Sequence, residues 1–574
     1  MTTFLPQVNR LWNIEDWRKQ VRHSSIRSSR FWKTVLDKDP MLDSVRMCIE
    51  LVYGNGEKML ISTHPIRTFK RSTASGVARN DMEEMAYRPL LMEALPISSS
   101  VTCGKGSSSA RSFSLNVAQL DFDVFELLRS GRCLAGFGEI SLQVDGQWWE
   151  DRAVILRGEM SGGVRFGSAD EVIDLEIVDP KDVNDMYIPP TLLTKELYSQ
   201  MPDSFVGSRI PMAINKVNRV PCIRVSDVPN GGPMVWIALQ SPLGQHTITD
   251  VYVNGEVPGA GVYPRSIVDG TTGNVNHKNI EFTVGTGLWE DNTTVYCDAP
   301  MDETKEEIGL IDVIHLLMSE WSTLGRANIN EDLFASAKAK CPEFYIPSVL
   351  INASGTSSSA TALKYVEDVL CKSYPMVSMV WQDGGYGPVY YDRRVDPVMD
   401  LRSNQYPLLK RRTSISETPK KDMYNKFTVK FAYDNLENEF KSLVERGVDN
   451  SDYCLVSAQQ VGSREYRVIE SKVMQSGTGA IFTGASGLQA VSVLDWLVNH
   501  KTLPSYYAEY DAYTAIYFKL RLGDNIVLYD EEISDEPISA TVEKLEVRGG
   551  KAVIGLRMWV MYDYIGRSGL GALT

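Results

Sequence analysis

The sequence has little of what would mark a membrane or secreted protein. None of its apolar runs reaches the roughly 20 residues that a membrane-spanning helix needs, and the run IDVIHLLM is interrupted by Asp312 and His315. The N-terminal stretch MTTFLPQVNRLWNIEDWRKQ lacks the basic flank and apolar core of a secretory signal. We therefore expect that the chain does not span a membrane. We also expect that it is made in a cytoplasm.

Cysteine and histidine are scarce and scattered. The eight cysteines stand singly without a CxxC pair, and the six histidines show no HxH or HExxH spacing. This pattern favours reduced, mostly buried cysteines and gives no local signal for a metal site or a catalytic triad. His315, on an apolar helical stripe, is expected to be a satisfied core residue. We assign no catalytic, cofactor-binding or metal residue, expect no cofactor, and predict that the chain is not an enzyme.

Positive charge is also in deficit. The chain has 59 Lys and Arg against 73 Asp and Glu, a formal net charge of -14. A surface that grips nucleic acid needs an excess of positive charge, so specific DNA binding is not expected. Acidity would instead help DNA to pass without sticking, because like charges repel. The stretch 98–109 contains GKGSSS but lacks the glycine spacing of a P-loop, and predicts a flexible loop.

What is present indicates a folded chain of several domains. A length of 574 residues exceeds what one hydrophobic core supports. The patterning predicts a mainly β, multidomain protein with α+β parts. The expected divisions are an N-terminal arm (1–40), a first β-rich domain (41–200), an inserted β-rich domain (201–302), a helical or α+β domain (303–407) and a last β-rich domain (408–574). The arm packs either on a neighbouring subunit or on its own.

Strand patterns dominate both ends of the chain. SVRMCIELVYGNGEKMLIST holds two apolar runs around a Gly-Asn-Gly turn, which predicts a hairpin. EVIDLEIVD alternates apolar and acidic residues, as does NIEFTV in the inserted domain. ISATVEKLEVRGGKAVIGLRMWV predicts a long closing hairpin turning at Gly549 and Gly550. The layout of AVILRGEMSGGVRFGSADEVIDLEIVDP is similar, which suggests a duplicated module.

Helical periodicity appears between these ends. KEEIGLIDVIHLLMSEW places four residues on one stripe, Ile311, Ile314, Met318 and Trp321, and TALKYVEDVL repeats the pattern. In GLQAVSVLDWLVNH, Leu488, Val491 and Leu494 are expected to share the buried face. These stripes are interpreted as facing a core.

Three surface features have competing readings. Trp148 with Trp149, and the run Trp381, Tyr386, Tyr390 and Tyr391, are interpreted as sheet and hairpin packing rather than as stacking surfaces for sugars or bases. The basic run 410–412 is expected in an exposed inter-domain linker rather than at a DNA contact.

The acidic run DEEISDE is interpreted either as a solvated turn or as a DNA-repelling rim. Its acidic residues are Asp530, Glu531, Glu532, Asp535 and Glu536.

The second half of the chain resembles bacteriophage tail-tip and baseplate hub proteins. DLFASAKAKCPEFYIPSVLIN followed by ALKYVEDVLCKSYPMVSMVWQDGGYGPVYYDRR looks like the middle of such hubs. The stretch from FTVKFAYDNLENEF to the closing hairpin is similar to the C-terminal barrel of hubs from siphophages and gene transfer agents. In this resemblance Gly523, Asp524 and Val527 mark a turn into a strand, and Trp559 marks the final strand. The first barrel matches less sharply and ends at 187–190.

The resemblance implies a structural role and a set of partners. Residues 41–200 and 408–574 would be tube-like barrels, and a homotrimer would form a ring that joins the tail tube to the tip and lets DNA pass. The expected location is the tail tip or baseplate of the virion. Expected partners are the distal tail protein, the tape measure protein and tip or fibre proteins, with receptor binding left to a partner. The alternatives are a carbohydrate- or receptor-binding tail protein and a tail-associated hydrolase.

Overall fold

The architecture was analysed in a computed structural model. Residues 1–29, most of the expected arm, lie outside the described set, as do the turn residues 53–57 of the first predicted hairpin. The structure describes residues 30–38, 43–52, 58–71, 82–91, 96–102, 105–107, 111–116, 136–160, 165–166, 172–178, 187–226, 234–242, 244, 246–258, 263, 265–272, 275–282, 293–302, 305–322, 329–352, 360–405, 407–474, 485–548 and 550–560.

The first part of the chain builds an antiparallel sheet in which β2, β1, β8, β9 and β11 follow one another, with β7 and β10 both paired to β11. The hairpin predicted around the Gly-Asn-Gly turn is confirmed by the pairing of β1 with β2. A second hairpin, β3 with β4, covers the other face of this sheet, so β1 is buried on both faces. The elements are α1 (Arg30–Lys38), β1 (Val45–Val52), β2 (Lys58–Ser62), β3 (Ile66–Arg71), β4 (Met82–Tyr87), β5 (Ile97–Thr102), β6 (Lys105–Ser107), β7 (Arg111–Asn116), β8 (Phe137–Val144), β9 (Ala153–Met160), β10 (Arg165–Phe166), β11 (Val172–Val178) and β12 (Tyr187–Ile188).

The next part has a hydrophobic core of its own. One sheet has the order β18, β19, β16, β13, β21, with β15 beside β16, and a smaller sheet has the order β14, β20, β17. Trp236, Ile280 and Phe282 are central to this core, which is separate from the main one. The strands are β13 (Met212–Ile214), β14 (Val217–Pro221), β15 (Ile223–Arg224), β16 (Met234–Gln240), β17 (Val251–Val253), β18 (Arg265–Thr272), β19 (Val275–Phe282), β20 (Val295–Ala299) and, much later in the chain, β21 (Val349–Ile351).

The helical part packs against a short hairpin. The two predicted stripes face the core: Ile311, Ile314 and Met318 and the apolar face of the second helix are buried, and Trp321 is half-buried against the same core. The elements are α2 (Leu310–Trp321), α3 (Glu331–Lys340), β22 (Ala360–Thr361), α4 (Ala362–Tyr365), a π-helical segment (Val366–Leu370), α5 (Cys371–Ser373), β23 (Val377–Gln382) and β24 (Gly385–Tyr390).

Glycines let α3 lie directly on the hairpin β23–β24. A Cβ on Gly385 would lie 2.9 Å from the Asn330 backbone nitrogen, and one on Gly387 would lie 2.8 Å from Leu333 Cβ. Asn330 begins the helix, because its side chain accepts hydrogen bonds from the Asp332 and Leu333 amides.

The last part is a large sheet with the order β25, β32, β33, β34, β31, β26, and a small sheet, β29, β28, β30, that packs on α7. The long closing hairpin is confirmed by β33 and β34. The elements are β25 (Met399–Arg402), β26 (Leu408–Arg411), β27 (Ser416–Glu417), β28 (Phe427–Asp434), β29 (Glu439–Arg446), α6 (Asp452–Val461), β30 (Ile469–Glu470), α7 (Ala485–Lys501), β31 (Tyr506–Tyr513), β32 (Asn525–Tyr529), β33 (Ile538–Arg548) and β34 (Lys551–Met558).

Two details of this part differ from expectation. Leu488 of α7 is 50% exposed, so the predicted stripe is wrong at this residue, and Ala490, Val493 and Leu497 join Leu494 on the buried face. The basic run 410–412 is not a linker, because β26 pairs with β31 through Leu408 and Arg411. A ladder partner more than 90 residues later in the chain sets this conformation, which local composition does not reveal.

The flexible loop expected at 98–109 is also wrong. Ile97–Thr102 and Lys105–Ser107 form a β-hairpin, and β5 pairs antiparallel with β33 from Ile97↔Val547 to Ser100↔Lys544. Ile97 and Val101 are buried, so the serine-rich strand is anchored by its two branched residues. The chain is mainly β with α+β parts, as predicted, and its first and last parts share a sheet.

Candidate functional site

The described residues hold no preassembled metal centre and no transmembrane helix. Among them, no three His, Cys, Asp or Glu side chains converge to hold a metal ion. The helices described are also too short or too polar to cross a bilayer. All six described cysteines are free thiols, and they are buried or half-buried, as expected. Cys103 and Cys133 lie outside the described residues.

The first sheet, the hairpin of the helical part and the last sheet meet at one place, which we call the joint. It consists of β5, the hairpin β23–β24, and the strands β9 and β33 that they contact. The Ser99 hydroxyl donates to the Trp381 carbonyl at 2.9 Å. The Gly384 amide donates to the Ile155 carbonyl of β9 at 3.2 Å. Tyr517, near the last sheet, donates its hydroxyl to Asp383. The hairpin thus lies between the first and last sheets and is bonded to both.

The aromatic and glycine run WQDGGYGPVYY explains this contact. Gly384 has φ +73°, and a Cβ there would lie 2.8 Å from Val154 Cγ1, so the tip of the hairpin can approach β9 only as glycine. The run's four rings, Trp381, Tyr386, Tyr390 and Tyr391, are at most 3% exposed. They pack inside the chain, as predicted, and offer no open surface for stacking sugars.

The turn marked by Gly523 and Asp524 is a second fixed point. Gly523 has φ +76°, and a Cβ there would lie 2.5 Å from Val389 Cγ1. Asp524 accepts a hydrogen bond from the Arg521 amide at 2.7 Å and from Lys340 Nζ at 2.5 Å. Because Lys340 ends α3, this ion pair ties the helical part to the last sheet.

A buried aromatic group closes the last sheet. Trp559, the expected final-strand residue, is 1% exposed and donates to the Thr541 hydroxyl at 2.9 Å. His500 stacks on Trp496 with centroids 4.5 Å apart and meets Trp559 edge-on at 5.2 Å. Its Nδ1 lies 2.7 Å from the Trp496 carbonyl, and its Nε2 accepts the Arg393 amide at 3.0 Å.

These bonds require neutral His500. Burial lowers its pKa to about 3 and outweighs the attraction of Asp392, 3.9 Å away.

The acidic loop after β32 is only partly solvated. Asp530 is buried and accepts a hydrogen bond from Tyr510 at 2.6 Å, and Arg411 reaches Glu532 at 2.6 Å. The interpretation of all five acids as one exposed group is therefore wrong for Asp530. Three acids remain exposed outside these contacts: Glu531, Asp535 and Glu536.

His315 differs from the core residue that was expected. It lies half-exposed on α2, with Nε2 3.1 Å from the carboxylate of Glu331 at the start of α3. The apolar stripe assigns its neighbours to the core, but position 315 falls at the margin of that stripe, where a polar partner on the next helix is within reach.

The first sheet contains a buried charge cluster that was not predicted from the sequence. Glu139 on β8 lies opposite Arg157 on β9, whose Nε donates to it at 2.9 Å, and it also bonds Arg152. Burial would raise the pKa of Glu139, but the two guanidinium groups outweigh it and lower the pKa to about 2. The available signal was a single Glu in the apolar run of β8 and an Arg on each side of the run AVIL, which begins β9.

Trp149 covers this cluster. Its ring is fully buried, the Arg152 guanidinium lies 3.3 Å from its centroid, and its indole nitrogen donates to Glu50 at 3.1 Å. The expected packing role of Trp149 is confirmed, and its partners are cations as well as the sheet.

The helix α1 packs on the rest of its own chain. Trp32 is 2% exposed, stacks on Phe518 with centroids 4.7 Å apart, and donates to the Asp151 carbonyl at 2.8 Å. Of the two expectations for the arm, packing on its own subunit holds for residues 30–38.

Comparison with known proteins gives structural likenesses only. No family model matches the chain, and no curated protein matches it. Among solved structures it is similar to a tail protein from Neisseria meningitidis MC58, with a TM-score of 0.37, 8% identity, and 89% and 98% of the two chains covered. It is also similar to the 43 kDa tail protein of prophage MuSo2 from Shewanella oneidensis (TM-score 0.34, 8% identity, 89% and 97% covered).

A third likeness is to a prophage tail protein from Listeria monocytogenes EGD-e, with a TM-score of 0.22, 10% identity, and 48% and 76% of the chains covered. Phage tail proteins are also the class that the sequence resembles.

Proposed function

We propose that the chain is a structural hub of a bacteriophage tail tip or baseplate, which works as a homotrimeric ring, joins the tail tube to the tip, and lets DNA pass. The observation that carries the proposal is the joint. The pairing of β5 with β33, with the hairpin β23–β24 between the sheets, ties two large, mainly antiparallel sheets into one body. Three such bodies would present six sheets around an axis, which suits a connection between six-fold and three-fold parts.

The role is structural rather than catalytic in this proposal. The chemically distinctive side chains of the described part are engaged in packing: the Glu139 cluster, the Asp524 turn and the neutral His500 each bond neighbouring elements. The partners would be the distal tail protein, the tape measure protein and tip or fibre proteins. The buried rings of the hairpin give no support to the alternative of a carbohydrate-binding protein.

Imaging of the purified chain and of particle tips tests the proposal. We expect a closed ring of three copies with a central channel wide enough for DNA, and a solution mass of three chains by light scattering. A ring of six copies, or a single copy in assembled tails, would contradict the trimer. Saturable binding to host polysaccharide, or hydrolysis abolished by changing one carboxylate, would favour the alternatives.

A further inference from the structure

The strand β18 is an open edge. It is the outermost strand of its sheet, and no strand of the described residues pairs with its free side. Seven of its eight residues are exposed or half-exposed, including Ile267 at 42% and Val268 at 38%. A long strand that leaves its N–H and C=O groups unpaired is a template for another strand. Its apolar residues make this edge suited to a partner rather than to water.

The strand β29 is a second open edge, in a different sheet. It is the outermost strand of the order β29, β28, β30, with its outer side unpaired among the described residues. Lys441, Leu443 and Glu445 lie on its exposed face, and Leu443 is 52% exposed. Along this face the successive side chains are therefore positive, apolar and negative.

We propose that β18 of one copy adds to β29 of the next copy as an antiparallel strand, with Ile267 opposite Leu443. In this register Arg265 faces Glu445 and Asp269 faces Lys441, so two opposite charges flank one apolar pair. Arg265, Ile267 and Asp269 share a face because they alternate along β18. Directly opposed apolar and oppositely charged pairs are the interactions that stabilise antiparallel strands.

Charge complementarity selects a second copy of this chain as the occupant. Asp269 contacts Lys278 at 2.5 Å within its own chain, and Lys441 contacts Glu437 and Glu439, so across the contact these two charges would be shared with a second partner of opposite sign. A contact between two different edges is head-to-tail and generates a ring when its rotation closes. The inference rests on the proposed ring and names an interface within it.

One alternative pairing is also complementary in charge. Two β18 strands centred on Ile267 would place Arg265 of each opposite Asp269 of the other. That contact is two-fold and isologous, so it would close a dimer instead of a three-copy ring.

Cysteine cross-linking distinguishes the two pairings. Residues directly opposite in an antiparallel pair have Cα atoms about 4.5–5.5 Å apart, within the range of a disulfide. The double variant Ile267→Cys/Leu443→Cys should, with a mild oxidant that takes up the two thiol hydrogens, give disulfide-linked trimers. Either single variant alone should give none, whereas a mixture of the two should give a linked dimer. Linked dimers of Ile267→Cys alone would overturn the proposal in favour of the two-fold contact.

Charge reversal tests the register without new covalent bonds. Arg265→Glu should weaken ring association roughly fivefold or more, since it places like charges opposite each other. Arg265→Glu/Glu445→Arg should restore it, while Glu307→Arg, at an exposed site on neither edge, should have no effect. All these sites are exposed, so thermal unfolding of Arg265→Glu and Glu307→Arg should be unchanged, while Glu445→Arg also loses the hydrogen bond that the Thr428 hydroxyl donates to Glu445 at 3.1 Å. A ring that forms normally in every variant and never cross-links would overturn this interface and leave the hub proposal standing; a chain that stays monomeric would overturn both.

Discussion

His500 makes the last sheet sensitive to acid. The unfolded chain protonates a histidine near pH 6.5, but the folded chain keeps His500 neutral down to about pH 3. Between these pH values the unfolded state therefore binds more protons than the folded state. The stabilisation from neutral His500 is fully present above about pH 6.5, and the free energy of unfolding declines as the pH falls below that value. By pH 5 the loss should reach about 2 kcal/mol.

Thermal unfolding at pH 7 and pH 5 checks this prediction. His500→Gln should lower the melting temperature at pH 7 but reduce its fall between the two pH values. His64→Gln, at an exposed histidine, should keep the fall of the natural chain. An identical fall in His500→Gln would assign the acid sensitivity to other groups.

Glu139 holds two arginines inside the first sheet. Glu139→Gln would leave Arg152 and Arg157 buried and close together without the carboxylate that both bond, with Glu50 as the nearby negative charge that remains, which should cost about 3–5 kcal/mol. Glu84→Gln removes one partner of an exposed pair with Arg67 and should cost no more than about 1 kcal/mol. Denaturant unfolding of the two variants gives the comparison, and equal small losses would contradict the assigned role of Glu139.

At the scale of elements, the attachment of β5 to β33 is open to direct test. Val101 is 1% exposed, so Val101→Asp would bury an unpaired charge and should detach the hairpin. Amide hydrogen exchange at Leu545–Val547, which face β5, should then become faster. Leu488→Asp makes the same kind of change at an exposed residue and should leave those amides protected. Unaltered protection in Val101→Asp would show that the hairpin contributes little to the sheet.

In the hub proposal, the exposed acids of the loop after β32 line the channel and repel the phosphates of DNA as it passes. Reversal of its exposed acids (Glu531→Lys, Asp535→Lys, Glu536→Lys) should leave the ring intact but slow DNA ejection, most strongly at low salt, because lysines bind phosphate. Three reversals elsewhere on the surface, at Glu307, Asp396 and Asp449, change the net charge equally and serve as the control. Ejection unchanged at low salt would remove the loop from the channel while leaving the hub proposal in place.

Elements with strong local signals could be predicted from the sequence. The hairpins β1–β2 and β33–β34 alternate around turn residues, and α2 has an apolar stripe, so each pattern names its own structure. The strand β5 could not be predicted, because three serines in six residues have no strand preference and its longer ladder is supplied by β33, far along the chain. The Glu139 cluster was hidden for the same reason: its three charges become partners only when β8 and β9 pair.

At the scale of the whole molecule, the parts differ in how independently they can fold. The core around Trp236 is built almost wholly from residues 193–299, whereas the last sheet takes β5 and β25 from earlier in the chain. A fragment of residues 190–302 should therefore unfold cooperatively on its own. A fragment of residues 408–574 should lack a cooperative transition or aggregate, because β32 and β33 lose neighbours. Circular dichroism on heating tests both, and a melting temperature for 408–574 equal to that in the full chain would contradict the expectation.

The pairing of Ser100 with Lys544 also means that β5 has to wait for its ladder partner during synthesis. The two residues are about 440 positions apart, and a ribosome that adds roughly 5–20 residues per second needs roughly 20–90 seconds to pass from one to the other. During that interval the serine-rich hairpin has been made but its ladder partner has not. A nascent chain is thus exposed to strand exchange with its neighbours on the same messenger, and ribosome pausing late in the message would lengthen that exposure.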